Sequence, residues 1–219
     1  MSSPSTSHDE ADLKSGEVSS HADSDLMRKA QKGDRGAFGQ VVLNCQDRLY
    51  NAVLRMVGNR DEARELTQEA FTRGLEKISG FRGDCAPYTW LFRIAMNLAI
   101  SQLRKVQRQR VFSLDRSGSN GHRGRSDDQA SRLLEHVSQS RGVSPSARVE
   151  EQERQQQVLE ALGRIDAEYR ALLVMRDVEG FDYRQMAEVL DLPLGTLKSR
   201  LFRARLALRE ELKSYMNSD

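Results

Sequence analysis

Basic side chains gather near the C-terminus with no acidic residue between Leu192 and Arg209. They are Lys198, Arg200, Arg203, Arg205 and Arg209. Ser199 and Phe202 lie between them. Arginine and lysine pair with guanine edges and phosphates, serine with base edges or phosphates, and phenylalanine can contact a thymine methyl group. A helix that presents this set has the chemistry of a DNA-reading helix.

The surrounding pattern predicts a helix-turn-helix that positions these residues. A short helix over 183–190 leads through a tight connection at 191–194 into a second helix that Gly195 and Thr196 open. At 100° per residue one arc of the second helix is apolar. That arc contains Leu197, Leu201, Ala204, Leu208 and Leu212. The opposite side contains Lys198, Ser199, Phe202 and Arg203, with Arg200 and Arg205 at its margins.

Phe202 separates two interpretations of this helix. A large apolar side chain on the outer face of a basic helix indicates a surface for a partner. The alternative is an ordinary surface helix with solvated arginines and one stray phenylalanine. Spacing, turn and charge agree with each other, which favours the DNA-binding interpretation.

A second set of residues combines aromatic and basic side chains over residues 81–105. Its members are Phe81, Arg82, Tyr88, Trp90, Phe92, Arg93, Asn97, Arg104 and Lys105. Aromatic stacking holds unpaired bases, at roughly 1–3 kcal/mol each, and an amide can hydrogen-bond to the edge of an extruded base. Trp90 and Phe92 are 200° apart on a helix and cannot both face one core. Aromatic side chains at a helix start also fill cores, so this alternative stays open.

Helical spacing of apolar residues runs through most of the chain and predicts an all-α protein. Stripes at steps of three and four occupy 26–57, 61–78 and 88–106, with stops at Gly33-Asp34 and Gly58-Asn59. Similar stripes continue from about 152. We therefore divide the chain into a disordered Ser-rich acidic tail (1–23), a helical domain (24–106), a flexible linker (107–151) and a second helical domain (152–219).

Composition excludes several classes of protein. The chain has 219 residues, a formal net charge of +2 and 30% charged residues. Its apolar runs are too short for a membrane helix, which needs roughly 20 residues, and no signal peptide is evident, so we expect a cytoplasmic protein without membrane insertion. Two cysteines and four histidines without zinc spacing predict no disulfide framework, metal or cofactor. No catalytic set appears, which argues against an enzyme with a small-molecule substrate.

Five stretches together resemble a bacterial sigma factor of the extracytoplasmic-function group. They are DLM at 25–27, GDRGAFGQVV at 33–42, ELTQEAF at 65–71, FRGDCAPYTWLFRIAMN at 81–97, and the block from Ile165 to Leu208. The resemblance covers about 25–106 and 152–215. It implies a region-two helical bundle that binds core RNA polymerase and the melted minus-ten element. It also implies a region-four helix-turn-helix that binds the minus-thirty-five element as duplex.

The resemblance also assigns roles to individual residues. Polymerase docking falls to Glu65, Gln68 and Glu69. Minus-ten binding falls to Phe81, Arg82, Tyr88, Trp90, Arg93, Asn97 and Arg104. Minus-thirty-five binding falls to Arg176, Thr196, Lys198, Ser199, Arg200, Phe202, Arg203 and Arg205. Core polymerase and promoter DNA are the implied partners, and an anti-sigma factor is a further candidate.

The chain departs from the family pattern in its long linker, its serine-rich tail and Cys85-Ala86-Pro87 within the loop that selects the minus-ten sequence. Two other functions stay open. A helix-turn-helix regulator would bind promoters without melting DNA, and a helical adaptor would bind proteins through its exposed faces. For Glu65, Gln68 and Glu69 the alternative to polymerase docking is an exposed acidic helix face.

Overall fold

A computed structural model describes residues 21–116 and 157–216, with side chains over 21–109 and 157–213. The described residues form helices and contain no strand, which confirms the all-α prediction. Most of the predicted tail and residues 117–156, which include most of the predicted linker, lie outside the described residues. Within the described ranges, no helix is both long and apolar enough to cross a membrane.

The first helical region, residues 21–116, contains four α-helices and one 3-10 turn among its described residues. In chain order these are α1 (21–31), α2 (Arg35–Val57), α3 (Arg60–Glu76), the 3-10 turn (Ile78–Gly80) and α4 (Pro87–Arg116).

Short polar side chains and glycine separate these helices at the predicted stops. The Asp34 carboxylate accepts a backbone hydrogen bond in the first turn of α2, at 3.0 Å. Gly58 ends α2 in the left-handed conformation, with φ of 72°, which glycine adopts without steric cost. The Asn59 side chain then accepts two backbone hydrogen bonds at the start of α3. Both predicted stops are therefore confirmed.

Helix α4 extends beyond its predicted end. The sequence pattern predicts helix over 88–106, whereas α4 runs from Pro87 to Arg116. Proline is well suited to the first helical position because its missing N–H has no partner there anyway. Residues 107–116 lack glycine and proline and include Gln, Arg and Leu, which favour helix. Part of the segment predicted as linker is thus helical.

One apolar core joins α2, α3 and α4, and a glycine sets how closely two of them approach. Leu49, Met56, Leu91 and Met96 are fully buried in this core. A Cβ at Gly74 of α3 would lie 2.7 Å from the Leu91 Cδ2 of α4, closer than two carbon atoms pack. Glycine at this position therefore lets α3 and α4 pack side by side.

The second helical region, residues 157–216, contains four α-helices and a π-helical turn among its described residues. They are α5 (157–164), α6 (Ala167–Leu173), the π turn that continues it (Val174–Val178), α7 (Tyr183–Leu190) and α8 (Leu194–Met216). Leu172, Met175, Met186 and Leu197 are fully buried where these helices meet. The two regions also contact each other, because α4 packs against α6 and α7.

Candidate nucleic-acid and polymerase interfaces

Helices α7 and α8 form the predicted helix-turn-helix. Asp182 and Gln185 build a capping box at the start of α7, each side chain accepting a backbone hydrogen bond from the other residue. Asp191 ends α7 in the left-handed conformation, with φ of 52°. The Leu192 N–H donates to the Ala187 carbonyl at 3.0 Å and closes the turn. This geometry directs α8 away from α7.

The two predicted sides of α8 are confirmed by burial. Leu197, Leu201 and Ala204 are buried against the core, and Leu208 packs partly against it. On the outer side Lys198, Ser199, Phe202 and Arg203 are exposed. Phe202 has 65% of its surface exposed. This face thus offers an apolar ring surrounded by cations.

Three basic residues at the margin of this face contact groups of the same region. Arg200 pairs with Glu168 at 2.8 Å, and Arg205 pairs with Asp177 at 2.6 Å. The hydrogen bond that Arg205 donates to the Asp177 carboxylate raises the pKa of Arg205. Arg176 donates to the Phe181 carbonyl at 2.8 Å. These three side chains lie beside the exposed face, each with a partner in the second region.

The Tyr183 ring lies between two of the cations predicted to bind DNA. The Arg176 guanidinium is 5.1 Å and the Lys198 ammonium 5.7 Å from the ring centroid. Cations at this distance are attracted to the electron-rich ring face. Thr196 is half-buried in the first turn of α8, and its carbonyl accepts a hydrogen bond from Ser199 Oγ at 2.9 Å. All eight predicted minus-thirty-five residues therefore lie on α8 or directly beside it.

The loop between α3 and α4 is held by its first residue. Phe81 is only 5% exposed and packs edge-on against Trp90, with ring centroids 5.5 Å apart. The Gln31 side chain donates to the Phe81 carbonyl at 2.6 Å. In this conformation the Phe81 ring is not accessible to a base. It packs against the Trp90 ring instead. Arg82 is exposed and pairs with Asp84 at 3.1 Å.

Helix α4 divides the other predicted minus-ten residues between two faces. Trp90, Arg93 and Asn97 follow each other at steps of three and four and share one face, on which Arg93 and Asn97 are exposed. Tyr88 lies on the opposite face, where it hydrogen-bonds to Glu179 of the second region. Arg104 pairs with Glu168, also of the second region. The structure thus brings together only part of the predicted set.

The predicted polymerase-docking residues share the outer face of α3. Glu65, Gln68 and Glu69 are exposed at spacings of three and four, while Leu66 and Ala70 are buried on the other side. Glu69 also pairs with Arg73 one turn further along, at 2.6 Å. The face is polar, continuous and accessible to a partner.

Neither cysteine is arranged for metal binding or disulfide formation. Cys45 is buried in α2, and burial raises the pKa of its thiol to about 12. Cys85 is half-buried in the loop before α4, and burial, followed by the Glu188 carboxylate, raises its pKa. In the two described ranges no three His, Cys, Asp or Glu side chains form a group that could hold a metal ion.

Several residues that join the two regions have no counterpart in the sequence-based assignments. They are Arg48, Glu168, Arg170, Glu179 and Phe181. Each is an ordinary charged or aromatic residue in the sequence. The side chains of Arg48, Tyr88 and Arg104 bind partners in the second region that lie 131, 91 and 64 positions away along the chain. Helical periodicity contains no signal for contacts at that separation.

Two family models match the chain, one in each helical region. The model described as Sigma-70 region 2 matches residues 41–109, and the model described as Sigma-70, region 4 matches residues 155–208. The sigma-H factor of Pseudomonas aeruginosa is 32% identical over 195 residues, covering 87% of this chain and 94% of the relative. The factor SigW of Bacillus subtilis is 31% identical over 189 residues, covering 85% and 95%. The chain belongs to the extracytoplasmic-function group of RNA polymerase sigma factors.

Solved structures have a fold similar to that of this chain. CnrH in complex with the cytosolic domain of CnrY matches with a TM-score of 0.60 at 24% identity, covering 88% of this chain and 98% of that one. The sigma factor RpoE of Bartonella quintana, crystallised with the anti-sigma factor NepR, matches with a TM-score of 0.56 at 25% identity, covering 80% and 96%.

The positions of the matches separate the predicted residues into two groups. All ten residues assigned to polymerase docking or the minus-ten element lie within the region 2 match, residues 41–109. All eight assigned to the minus-thirty-five element lie within the region 4 match, residues 155–208. As a sigma factor, the chain acts in promoter-specific initiation by RNA polymerase.

Proposed function

We propose that this sigma factor directs core RNA polymerase to a defined set of promoters by binding their DNA in two states. The second helical region reads the minus-thirty-five element as duplex, and the first captures the minus-ten non-template strand after melting. The observation that carries the proposal is the exposed Phe202 ring within the basic outer face of a capped helix-turn-helix.

The α8 face fits a major groove. A recognition helix places the side chains of its N-terminal half against base edges, and Lys198, Ser199, Phe202 and Arg203 occupy that half. Arg203 can pair with a guanine edge and Phe202 can contact a thymine methyl group. Arg176, Arg200 and Arg205 lie at the margin, where phosphate contacts set register without reading sequence.

The face of α4 that contains Trp90, Arg93 and Asn97 is the candidate surface for a single strand. Trp90 offers a partly exposed ring for stacking, Arg93 a cation for the backbone and Asn97 an amide for a base edge. Phe81 acts here through Trp90, against which its ring packs. This assignment is more restricted than the one from sequence, because Tyr88 faces the other way in this conformation.

The outer face of α3 is the candidate docking site on core polymerase. Glu65, Gln68 and Glu69 present two carboxylates and an amide on one face of α3, within about one helical turn. Such a face suits a basic and polar partner surface. The chain itself supplies no catalytic group in this proposal, and bond formation belongs to the polymerase.

An anti-sigma factor is a further proposed partner. The RpoE neighbour from Bartonella quintana was crystallised with the anti-sigma factor NepR. The extent of that fold match supports the same kind of inhibition for this chain. Binding would be detected as loss of promoter-dependent transcription when the inhibitor is added to the holoenzyme.

The capture of a melted strand is tested by the change Asn97→Ala. The holoenzyme with Asn97→Ala should form fewer open complexes at a dependent promoter, because an extruded base loses its amide partner. Permanganate reactivity of unpaired thymines measures opening, and Asn51→Ala, an exposed asparagine on α2, is the matched control. Equal opening by both variants would favour a helix-turn-helix regulator that does not melt DNA.

The change Arg203→Ala tests the other alternative. No effect of Arg203→Ala on any promoter would favour a helical adaptor.

A further inference from the structure

Gln31, the last residue of α1, connects this helix to the start of the loop before α4. Its Nε2 group donates to the Ile78 carbonyl at 3.0 Å and to the Phe81 carbonyl at 2.6 Å. Both partners are acceptors, so the NH2 end of the amide faces them and both of its N–H donors are used. Ile78 begins the 3-10 turn and Phe81 follows its end. The Gln31 amide therefore bridges the whole turn.

The backbone at Gln31 is fixed by the way α1 ends. The Asp34 N–H donates to the Lys29 carbonyl at 3.2 Å, and the Gly33 N–H donates to the Ala30 carbonyl at 2.9 Å. These two bonds form a Schellman motif, with Gly33 at a φ of 100° that glycine adopts without steric cost. The Asp34 side chain also caps α2. The Gln31 side chain thus extends from a backbone that is held on both sides.

Phe81 links the Gln31 amide to the Trp90 ring. The carbonyl of Phe81 accepts from Gln31, while its buried ring packs edge-on against Trp90 with centroids 5.5 Å apart. The carbonyl and the ring belong to one residue, so a hydrogen bond that fixes the carbonyl also limits movement of the ring. Trp90 is half-buried and shares its face of α4 with Arg93 and Asn97. A donor on α1 is therefore one residue away from the ring proposed to stack on an unpaired base.

The loop that follows Phe81 is held weakly by its own side chains. Residues 82–84 are exposed. Arg82 pairs with Asp84 at 3.1 Å, but both side chains are largely exposed, and such pairs contribute little and weaken with salt. Gly83 between them has a φ of 78° and adds backbone freedom. The conformation of the loop therefore depends on how its ends are held, and Gln31 holds the first end.

We infer that Gln31 is a positioning residue for promoter melting. It holds the loop 82–86 and the Phe81 and Trp90 rings in the arrangement that captures the unpaired minus-ten strand. The inference rests on the proposed function for the role of Trp90. Gln31 lies before the residues that match region 2, 41–109, and the sequence-based assignments do not include it. Its effect passes through Phe81, because a site that is already ordered binds a base at a lower entropic cost.

The test compares the full chain with Gln31→Met and the full chain with Gln40→Met as the matched control. Methionine has a helix propensity close to that of glutamine and lacks the N–H donor, and neither change alters the charge. Gln40 is exposed on α2, and its amide donates within its own helix, to Asn44 Oδ1 at 3.2 Å. The control thus removes an exposed amide that does not contact the loop.

The first measurement is made on the free chain without DNA. Trp90 is the only tryptophan in the sequence, so intrinsic fluorescence reports on this site alone. Acrylamide should quench Trp90 more strongly in Gln31→Met than in wild type or Gln40→Met, and the emission should shift to the red, because Phe81 covers the indole ring less completely. A loss of global stability alone would leave the emission of the native chain unchanged.

The second measurement is made on the holoenzyme. Gln31→Met should form about three- to tenfold fewer open complexes at a dependent promoter, the range expected for one lost hydrogen-bonding group. Permanganate reactivity of unpaired thymines measures this. Affinity for core polymerase and for a minus-thirty-five duplex should stay at the wild-type value, because the outer faces of α3 and α8 are unchanged. Gln40→Met should equal wild type in all three measurements.

Three results would overturn the inference. One is equal behaviour of Gln31→Met and Gln40→Met in quenching and opening. Another is a change in only one of these two measurements, and the third is a loss of opening that a matching loss of polymerase binding explains. Failure of the wild-type holoenzyme to open any promoter would instead refute the proposed function. The quenching of the free chain would still decide whether Gln31 positions Trp90.

Discussion

We propose that sequence recognition by α8 depends most on Phe202 and Arg203. Both are exposed on the face opposite the buried Leu197 and Leu201. Their neighbours Arg200 and Arg205 are held by carboxylates, whereas the exposed pair is placed to reach base edges. The sequence preference of this helix should therefore depend on Phe202 and Arg203. Arg200 and Arg205 should mainly add affinity through phosphate contacts.

The change Arg203→Ala should weaken promoter binding by the holoenzyme by about 1–3 kcal/mol and relax the preference at one base step, because a base contact is lost. Equilibrium binding to a panel of single-base variants of a minus-thirty-five duplex measures both effects. Arg209→Ala, an exposed arginine further along α8, is the control and should weaken all sequences slightly and equally. An identical, uniform loss for both changes would show that Arg203 contacts only phosphate.

Cys45 should resist alkylation in the folded chain. Its thiol is buried, donates to the Val41 carbonyl at 3.0 Å and has a pKa raised from 9.0 to about 12. A higher pKa means less thiolate, about a thousandfold less near pH 8 than for an ordinary thiol, and thiolate is the reactive form. Mass spectrometry after iodoacetamide treatment should find adducts at Cys85 first and at Cys45 only after unfolding. Equal rates at both cysteines in the native chain would contradict this.

At the scale of elements, the packing of α3 on α4 depends on Gly74. The change Gly74→Ala should lower the free energy of unfolding by about 1–3 kcal/mol, because the new methyl group overlaps Leu91. Gly39→Ala on α2 is the matched control. An added Cβ there meets nothing within 4 Å, so it should stabilise the helix by about 0.5–1 kcal/mol. Urea denaturation followed by circular dichroism measures both, and equal signs would contradict the packing argument.

Most element boundaries could be predicted from the sequence because they depend on local chemistry. The stops at Gly33-Asp34 and Gly58-Asn59 and the turn at Asp191 are encoded by residues within a few positions. The apolar face of α8 follows from the helical period alone, and burial of Leu197, Leu201 and Ala204 confirms it. The end of α4 could not be predicted from the apolar pattern. Polar residues of high helix propensity extend this helix to Arg116 without an apolar stripe.

The candidate site could be predicted only where exposure follows from the helical period. Residues of α3 and α8 lie on the predicted faces, since one helix determines them. Phe81 and Tyr88 differ, because their surroundings depend on distant residues. The Trp90 ring packs against Phe81, and the Glu179 carboxylate accepts a hydrogen bond from Tyr88. A pattern read along one chain contains no information on contacts between regions.

At the scale of the whole molecule, the proposed function divides affinity and specificity between two helical regions that share one polymerase. Each region alone offers a small surface, with a few base contacts beside several cations. Such a surface binds DNA weakly, and its affinity falls steeply with salt. Core polymerase would join the two contacts at a fixed distance, which converts two weak interactions into one strong one. The isolated chain lacks this advantage.

The most direct test of this account is electrophoretic binding of one promoter fragment by the free chain and by the chain with core polymerase, at matched salt concentrations. A fragment with scrambled minus-ten and minus-thirty-five elements serves as the competitor. We predict weak, salt-sensitive binding without sequence preference for the free chain, and tight binding of only the promoter fragment for the holoenzyme. Tight, sequence-specific binding by the free chain at physiological salt would contradict the account.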